Sequence, residues 1–241
     1  LQNLYLFENN LNGTIPSEVG LLRKLENIFL RENQLSGSLP SEISRLVGLT
    51  SLDVYENRFN SALPTEIGLL TGLTYLRFRE NIFTGSIPTE FGLLTMLTQL
   101  SFRNNQLNST IPSELGSLTN LEGLFLDTNA LSGRIPTELG SLSTQTTIVD
   151  FHSNKLTGMI PSEFGQMTAL TDLSVRDNQL TGTVPSEFGL LVEMDSLWLF
   201  DNQLSGTISF CGMIPASPRI DCMDLICSCC SDMDGISCTS R

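Results

Sequence analysis

Apolar residues recur along most of the chain in one pattern with a period of 24 residues. The copy that begins at Leu25 reads LxxIxLxxNxLxGxLPSEIxxL and ends at Leu46. Around Ile28 and Leu30 apolar and polar residues alternate, which predicts a short strand with one buried face. The apolar positions after the asparagine have no partner within their own copy. The pattern therefore predicts coils that bury their apolar sides by stacking on one another.

Nine copies of this pattern occupy residues 1–208. The marker residues keep the period, with one step of 25, at Pro16, Pro40, Pro64, Pro88, Pro112, Pro136, Pro161 and Pro185, and at Asn9, Asn33, Asn57, Asn81, Asn105, Asn129, Asn154, Asn178 and Asn202. A buried amide in a tight turn needs partners for its donors and its acceptor. We therefore expect the asparagines to form a ladder of hydrogen bonds between adjacent coils, which is a structural role.

The repeat resembles the plant-type leucine-rich repeat, LxxLxLxxNxLxGxIPxxLGxLxxL, over residues 1 to about 208. This resemblance implies an α/β repeat fold. It would be a right-handed leucine-rich-repeat solenoid with a parallel β-sheet on its concave side and short 3-10 or irregular segments on its convex side. Receptor-like proteins and polygalacturonase-inhibiting proteins carry repeats of this type.

The triplet Pro-Ser/Thr-Glu follows the apolar strand in eight copies. Serine or threonine ahead of a helical turn predicts a side-chain cap, and glutamate suits the positive end of that turn. Stacking would align these glutamates in a row on the convex side. Such a row is either a solvated acidic face or a stripe that shares cations.

One copy departs from the period between Gly140 and Asn154, where one residue is inserted. The leading leucine is also lost there, in the run from Ser143 to Thr147. We expect a local bulge or a slight kink at this point.

Residues 209–241 form a second, cysteine-rich segment, predicted to cap the last coil. It contains all six cysteines of the chain, Cys211, Cys222, Cys227, Cys229, Cys230 and Cys238. Three disulfides are favoured by the even count in a short, loop-rich segment. A zinc site at Cys227, Cys229 and Cys230 is the alternative, although paired zinc spacings are missing. The segment is similar to the C-terminal caps of extracellular leucine-rich-repeat proteins, those of diatoms in particular.

The charge and composition of the chain limit the classes of partner that it could bind. The net charge is −13 with 13 Lys+Arg, so no basic face for a phosphate backbone is expected, and nucleic acid is excluded as a partner. No apolar run is long enough to span a bilayer, so we expect no membrane contact by this fragment, although a parent chain could be anchored. The first coil, at Leu1, Leu4 and Leu6, has no cap before it, which suggests a truncated or processed chain.

The sequence contains no recognisable catalytic constellation. Its single histidine, His152, is not tied to a nucleophile by any motif, and neither a phosphate-binding loop nor a metal-ligand set can be identified. We therefore expect a protein that is not an enzyme and that uses no cofactor.

The variable positions beside the strand leucines are the candidates for ligand binding, because the fold does not dictate their residue types. In copies three to six these positions hold aromatic residues and arginines, types that are enriched in interface hot spots. The predicted ligand-binding residues are Tyr55, Tyr75, Arg77, Arg79, Arg103, Phe125 and Asp127. Their arginines would suit a carboxylate or a sulfate. A second group lies toward the ends, at Tyr5, Phe7 and Phe29 and at Trp198 and Phe200.

Two structural alternatives compete with this interpretation. Glu56 and Glu80 follow the predicted strands and could neutralise the arginines, and exposed aromatic residues on a sheet can be cross-strand packing alone.

Asn12 and Asn108 begin N-glycosylation acceptor triplets at equivalent positions of two copies. Together with the proposed disulfides they indicate the secretory pathway and an extracellular or cell-surface location. The leading hypothesis is an extracellular, non-catalytic module that binds a protein, peptide or glycan on its concave face. The alternatives are an inhibitor of a secreted cell-wall hydrolase and a structural or surface-adsorbing solenoid, the latter suggested by Thr14, Thr110, Thr183 and Thr207, a row that Arg134 and Met159 interrupt.

Overall fold

The computed structural model describes residues 1–142 and 145–208, together with the backbone of two short strands at 219–221 and 226–227. The proposed disulfides at Cys211, Cys222, Cys227, Cys229, Cys230 and Cys238 therefore lie outside the residues whose side chains are described. We number the coils 1–9 by their ladder asparagines, from Asn9 to Asn202.

Each coil contributes one strand to a ten-stranded parallel sheet, and a tenth strand follows from the segment after the repeats. The strands are Asn3–Tyr5, Asn27–Phe29, Ser51–Asp53, Tyr75–Arg77, Gln99–Ser101, Gly123–Phe125, Ile148–Asp150, Asp172–Ser174, Ser196–Trp198 and Arg219–Asp221. Neighbours in space are neighbours in sequence, and the same repeat position always pairs with its equivalent, as Leu52 does with Leu76. We call the outer side of this sheet the concave face. The predicted solenoid is confirmed.

A second set of short parallel strands follows the asparagines. It forms a three-stranded sheet of Asn12–Gly13, Gln34–Gly37 and Arg58–Phe59, a six-stranded sheet of Thr84–Gly85, Gln106–Ser109, Ala130–Arg134, Lys155–Gly158, Gln179–Gly182 and Gln203–Leu204, and a two-stranded pair of Thr207–Ile208 with Ile226–Cys227. The predicted boundary at 208/209 remains a prediction. Parallel pairing continues across it in both places where the segment is described.

Eight 3-10 helices line the convex side, one in each coil from the first to the eighth, at Ser17–Leu21, Ser41–Arg45, Thr65–Leu69, Thr89–Leu93, Ser113–Ser117, Thr137–Ser141, Ser162–Gln166 and Ser186–Leu190. The predicted side-chain cap is wrong. Proline holds the cap position, and the Ser or Thr is the first helical residue. The hydroxyl donates instead to the adjacent glutamate, as Ser17 does to Glu18 at 3.3 Å. Proline suits this place because its fixed φ matches the extended cap.

The asparagine ladder is present in every coil from the second to the ninth. In coil 3 the Asn57 Nδ2 donates to the carbonyl oxygens of Leu30 in coil 2 (2.9 Å) and of Val54 in its own coil (3.2 Å). Its Oδ1 accepts from the Leu35 amide of coil 2 at 3.0 Å. One side chain therefore closes its own turn and joins two coils.

The residue before each ladder asparagine has a positive φ, for example 53° at Glu56 and 56° at Thr128. The repeat pattern does not reveal this requirement, because the residue type at the position varies from coil to coil. A second positive φ occurs at or near the end of the second strand in most coils, for example 76° at Gly37. It also occurs at Ser109, where φ is 75°, so a serine is tolerated there at some cost in backbone strain.

The inserted residue does not break the sheet. Gly123 pairs with Ile148, so the offset of 25 residues is absorbed before the strand begins. Thr146 takes the buried place of the missing leucine, and its hydroxyl donates to the Leu121 carbonyl oxygen at 2.5 Å. This hydrogen bond satisfies the polar group that the substitution brings into the core.

We predict that Asn57→Ala lowers the free energy of unfolding by about 2–4 kcal/mol, because it leaves a buried amide and a buried carbonyl group without their partner. Urea denaturation followed by circular dichroism measures this. Asn60→Ala is the matched control, since Asn60 lies in the same coil and is exposed. Equal midpoints for the two variants would show that the ladder contributes no stability.

Candidate functional site

Three side chains per coil face the concave side: the first and third residues of the strand and the residue two positions later. Pairing of equivalent positions turns them into three rows across the sheet, and Tyr75 and Arg77 accordingly pair with Gln99 and Ser101. The predicted residues Tyr55, Tyr75, Arg77, Arg79, Arg103, Phe125 and Asp127 therefore lie on four neighbouring coils. We call them the concave cluster.

Arg77 and Arg79 are held by aromatic rings rather than by carboxylates. The guanidinium carbon of Arg77 lies 4.4 Å from the ring centroid of Tyr75, and that of Arg79 lies 4.3 Å from the ring of Tyr55. Arg77 Nη2 also donates to Gln99 Oε1 at 2.9 Å. A cation–π contact does not use up the N–H donors of a guanidinium, so donors not engaged elsewhere remain able to bind an anion.

The alternative in which Glu56 and Glu80 neutralise the arginines is not what the structure shows. Within the described part of the chain, no ion pair within 4.0 Å joins either glutamate to an arginine of the cluster. Arg79 Nε is buried and, among the described residues, has no hydrogen-bond partner. Glu56 and Glu80 therefore do not neutralise the arginines of the concave cluster.

Phe125 is half-buried because its ring lies over the start of its own strand. A Cβ built on Gly123 would come within 2.7 Å of Phe125 Cε2. The absence of a side chain at Gly123 thus creates the place that the ring fills. Sequence reasoning overlooked Gly123, although a glycine within a strand is a signal of such a close approach.

Asp127 differs from the other six residues because its side chain is fully buried. Its Oδ2 lies 3.2 Å from Arg103 Nε and 3.7 Å from His152 Nε2, and it accepts from Thr128 Oγ1 at 3.3 Å. Asp127 therefore does not offer a surface contact. It holds Arg103, which remains half-exposed, on the concave face.

Burial raises the pKa of the Asp127 carboxyl to about 6, and the nearby carboxylate of Asp150 adds to this rise. Arg103 and His152 oppose it, since both favour the ionised form. Desolvation outweighs the two opposing effects, as expected for a carboxylate with no exposed surface.

His152, which the sequence analysis left without a role, completes this arrangement. Its Nδ1 lies 2.7 Å from Asp150 Oδ1, and its backbone amide donates to the same oxygen at 3.2 Å. One ligand atom from each of Asp127, Asp150 and His152 lies within 4.8 Å of the other two, so these residues could hold a metal ion. The set escaped sequence analysis because its members come from two different coils.

The aromatic residues toward the two ends pack against one another. Tyr5 and Phe29 are register partners whose rings stack at a centroid distance of 5.1 Å, and Trp198 and Phe200 meet edge to face at 6.2 Å. Cross-strand packing accounts for the contact between Tyr5 and Phe29, whereas Trp198 and Phe200 belong to the same coil.

Asn12 and Asn108, the predicted glycosylation acceptors, are both exposed and both lie in the second set of strands, at Asn12–Gly13 and Gln106–Ser109. Modification at either remains a prediction. Separately, within the described ranges no helix has the length and apolar character needed to cross a bilayer.

Comparison with protein-family models gives two matches. Residues 4–133 match the model described as leucine-rich repeat region, and residues 145–167 and 169–191 match the model described as leucine rich repeat. None of the curated proteins matches significantly.

Among solved structures, the chain is similar to the Arabidopsis receptor kinase HAESA in complex with the peptide hormone IDA and the co-receptor SERK1, with 30% identity, a TM-score of 0.82 and coverage of 91% of this chain and 37% of that one. The chain is also similar to the plant peptide hormone receptor RGFR1 in complex with RGF2, with 32% identity and a TM-score of 0.78. The match covers 89% of this chain and 38% of that one. The similarity to a plant ice-binding protein has 28% identity and a TM-score of 0.69. It covers 85% of this chain and 74% of that one. The chain thus spans about two fifths of the length of the receptor chains it matches.

The raised pKa of Asp127 leads to a prediction about pH. A carboxyl with a higher pKa in the folded than in the unfolded state, where it is about 3.9, destabilises the fold once ionised. The free energy of unfolding should therefore rise as the pH falls through about 6. At pH 7.5 in EDTA we expect the free energy of unfolding of Asp127→Asn to exceed that of the wild type by about 1–2 kcal/mol. This difference should narrow toward pH 4.

Urea denaturation at both pH values checks this prediction. Asp195→Asn removes an exposed carboxylate and serves as the control. A gap between Asp127→Asn and the wild type that does not depend on pH would contradict the assignment.

Proposed function

The chain belongs to the leucine-rich-repeat family, in its plant-type form, and from this premise we propose that it is an extracellular, non-catalytic module that binds a peptide or protein segment on its concave face. The observation that carries the proposal is the stacking of Arg77 and Arg79 on tyrosine rings with their donors not neutralised by glutamate. A solenoid without a binding role does not need such a placement.

The chemistry of the concave cluster favours a ligand that carries a carboxylate. Arg77 and Arg79 lie two residues apart on one side of the sheet, and Arg103 follows Arg79 in the adjacent coil, so three arginines occupy two neighbouring coils in a chain of net charge −13. Guanidinium groups bind carboxylates through paired hydrogen bonds. Tyr75 and Phe125 add aromatic surface for apolar parts of the same ligand.

Two lines of support favour peptide or protein over glycan as the ligand class. Several similar solved structures are receptor ectodomains in complex with peptide hormones. An extended segment can also cross the parallel strands and contact equivalent positions of several coils, which lie about 4.8 Å apart.

The extracellular location is part of the proposal. Exposed Asn12 and Asn108 would carry glycans, and the six cysteines after residue 210 would be oxidised in the secretory pathway.

An array of synthetic peptides, each printed as free acid and as C-terminal amide, tests the function. We expect peptides that bind the wild type to lose at least about tenfold in affinity for Arg77→Ser/Arg79→Ser/Arg103→Ser. The double variant Arg77→Ser/Arg79→Ser keeps the Arg103–Asp127 ion pair. It therefore separates a loss of binding from a loss of the fold caused by breaking that pair. It should lose binding as well.

The control for charge is Arg23→Ser/Arg45→Ser/Arg58→Ser, which removes the same number of exposed arginines away from the concave face. Binding by this control should stay near that of the wild type. If the concave variants bind the selected peptides as tightly as the wild type does, or if no peptide binds, the proposal is wrong.

A surface-adsorbing function is the second candidate, since the fold is also that of a plant ice-binding protein. Thr14, Thr110 and Thr183 are exposed, but Arg134 and Met159 interrupt their row, and Met159 is 67% exposed. We expect no thermal hysteresis beyond that of an equal concentration of albumin. Measured hysteresis would support the second candidate over the first.

A further inference from the structure

Asp127, Asp150 and His152 lie next to the concave cluster, outside the arginine–tyrosine stacks that carry the proposed function. Asp127 belongs to coil 6, and the other two residues belong to coil 7. The side chains of His152 and Asp150 are 12% and 19% exposed, whereas that of Asp127 is fully buried. The group therefore forms a polar niche in the sheet surface that opens toward the concave side.

The two oxygens of Asp127 are used unequally. Oδ2 is engaged by Arg103, Thr128 and His152. Oδ1 is buried and has no hydrogen-bond partner among the described residues. A buried carboxylate oxygen without a partner is costly, and a bound cation would compensate this cost.

The imidazole of His152 is already oriented for coordination. The short contact between Nδ1 and Asp150 Oδ1 favours the tautomer that donates from Nδ1. Nε2 then carries the lone pair and faces Asp127. Histidines that bind metals are typically oriented in this way, with a carboxylate accepting from the other ring nitrogen.

We propose that Asp127 and His152 bind a divalent transition-metal ion of the zinc type on the concave face, with Asp150 orienting the imidazole from its Nδ1 side. An imidazole nitrogen beside a carboxylate suits zinc better than calcium or magnesium, which prefer oxygen ligands alone. Two protein ligands leave coordination positions open to outside donors, as in zinc sites that bind a further group.

The geometry needs only a small closure. His152 Nε2 now lies 3.7 Å from Asp127 Oδ2. Zinc bonds of about 2.0–2.2 Å place ligand atoms roughly 3.3 Å apart in a tetrahedral site, so the two side chains must approach by less than about 1 Å. Asp127 can offer both oxygens to the ion, which would give Oδ1 a partner while Arg103 stays on Oδ2.

Zinc titration of the intact, EDTA-treated protein tests the site, with any reduced thiols alkylated so that the cysteines cannot bind the metal. Isothermal titration calorimetry should show one site per chain. His152 is the only histidine of the chain, so its imidazole NMR signals report directly on coordination and should shift on addition of zinc. Magnesium at the same concentration should leave them unchanged.

His152→Gln and Asp127→Asn should each weaken zinc binding by about 10–100-fold. The matched control is Asp53→Asn: Asp53 holds in coil 3 the position that Asp150 holds in coil 7, and it likewise accepts from the amide two residues later, Tyr55, at 3.2 Å, but no histidine is beside it. This control should bind zinc as the wild type does.

The proposal is overturned if zinc does not bind, if the imidazole signals do not shift, or if the two site variants keep the affinity of the wild type. Circular dichroism of each variant, recorded without zinc, separates loss of the site from loss of the fold. Because no peptide is present in these measurements, their outcome is independent of the peptide-binding test.

Discussion

The coil-to-coil hydrogen bond of the ladder asparagine is the interaction on which the rest of the molecule depends. The amide of Asn57 closes the turn of its own coil and also accepts from the backbone of the coil before it. An isolated coil has no partner for this amide and no cover for its leucines, so folding and stacking are one event. The repeat length follows, because each coil must return to the same place relative to its neighbour.

The stacking of coils constrains the residue types in the core but not those on the concave face. Leucines and phenylalanines fill one continuous core, in which Phe59 and Phe83 stack at 5.7 Å across two coils. The concave positions point away from it and have to satisfy only their lateral neighbours. Tyr55, Tyr75, Arg77 and Arg79 use that freedom to make cation–π pairs. Asp127 is the exception, since its carboxyl is withdrawn from solvent and organises Arg103 and His152.

Most of the fold could be predicted from the period alone, because every copy repeats the same solution. The strands, the ladder and the convex 3-10 turns follow from positions that recur. The prediction of a side-chain cap at Ser17 and its equivalents was wrong, because a proline occupies the cap position. The inserted residue near Gly140 changes no strand register, because Thr146 replaces the leucine with its own hydrogen bond.

The candidate site was predictable as a surface, but its contacts were not. Alternation along the strand assigns Arg77 and Phe125 to the concave face. Which side chain meets which depends on rotamers and on neighbours about 24 residues away, and no repeat rule governs them. Arg79 therefore meets Tyr55 rather than a glutamate, and His152 joins two aspartates that sequence spacing does not connect.

The fold dictates the ladder and core positions and leaves the concave positions free to vary. Saturation mutagenesis of coil 4, with resistance to proteolysis as the selected property, tests this most directly. We predict broad tolerance at Tyr75, Arg77 and Arg79 and strong intolerance at Leu76, Phe78 and Asn81. Equal intolerance at the two sets of positions would contradict the account.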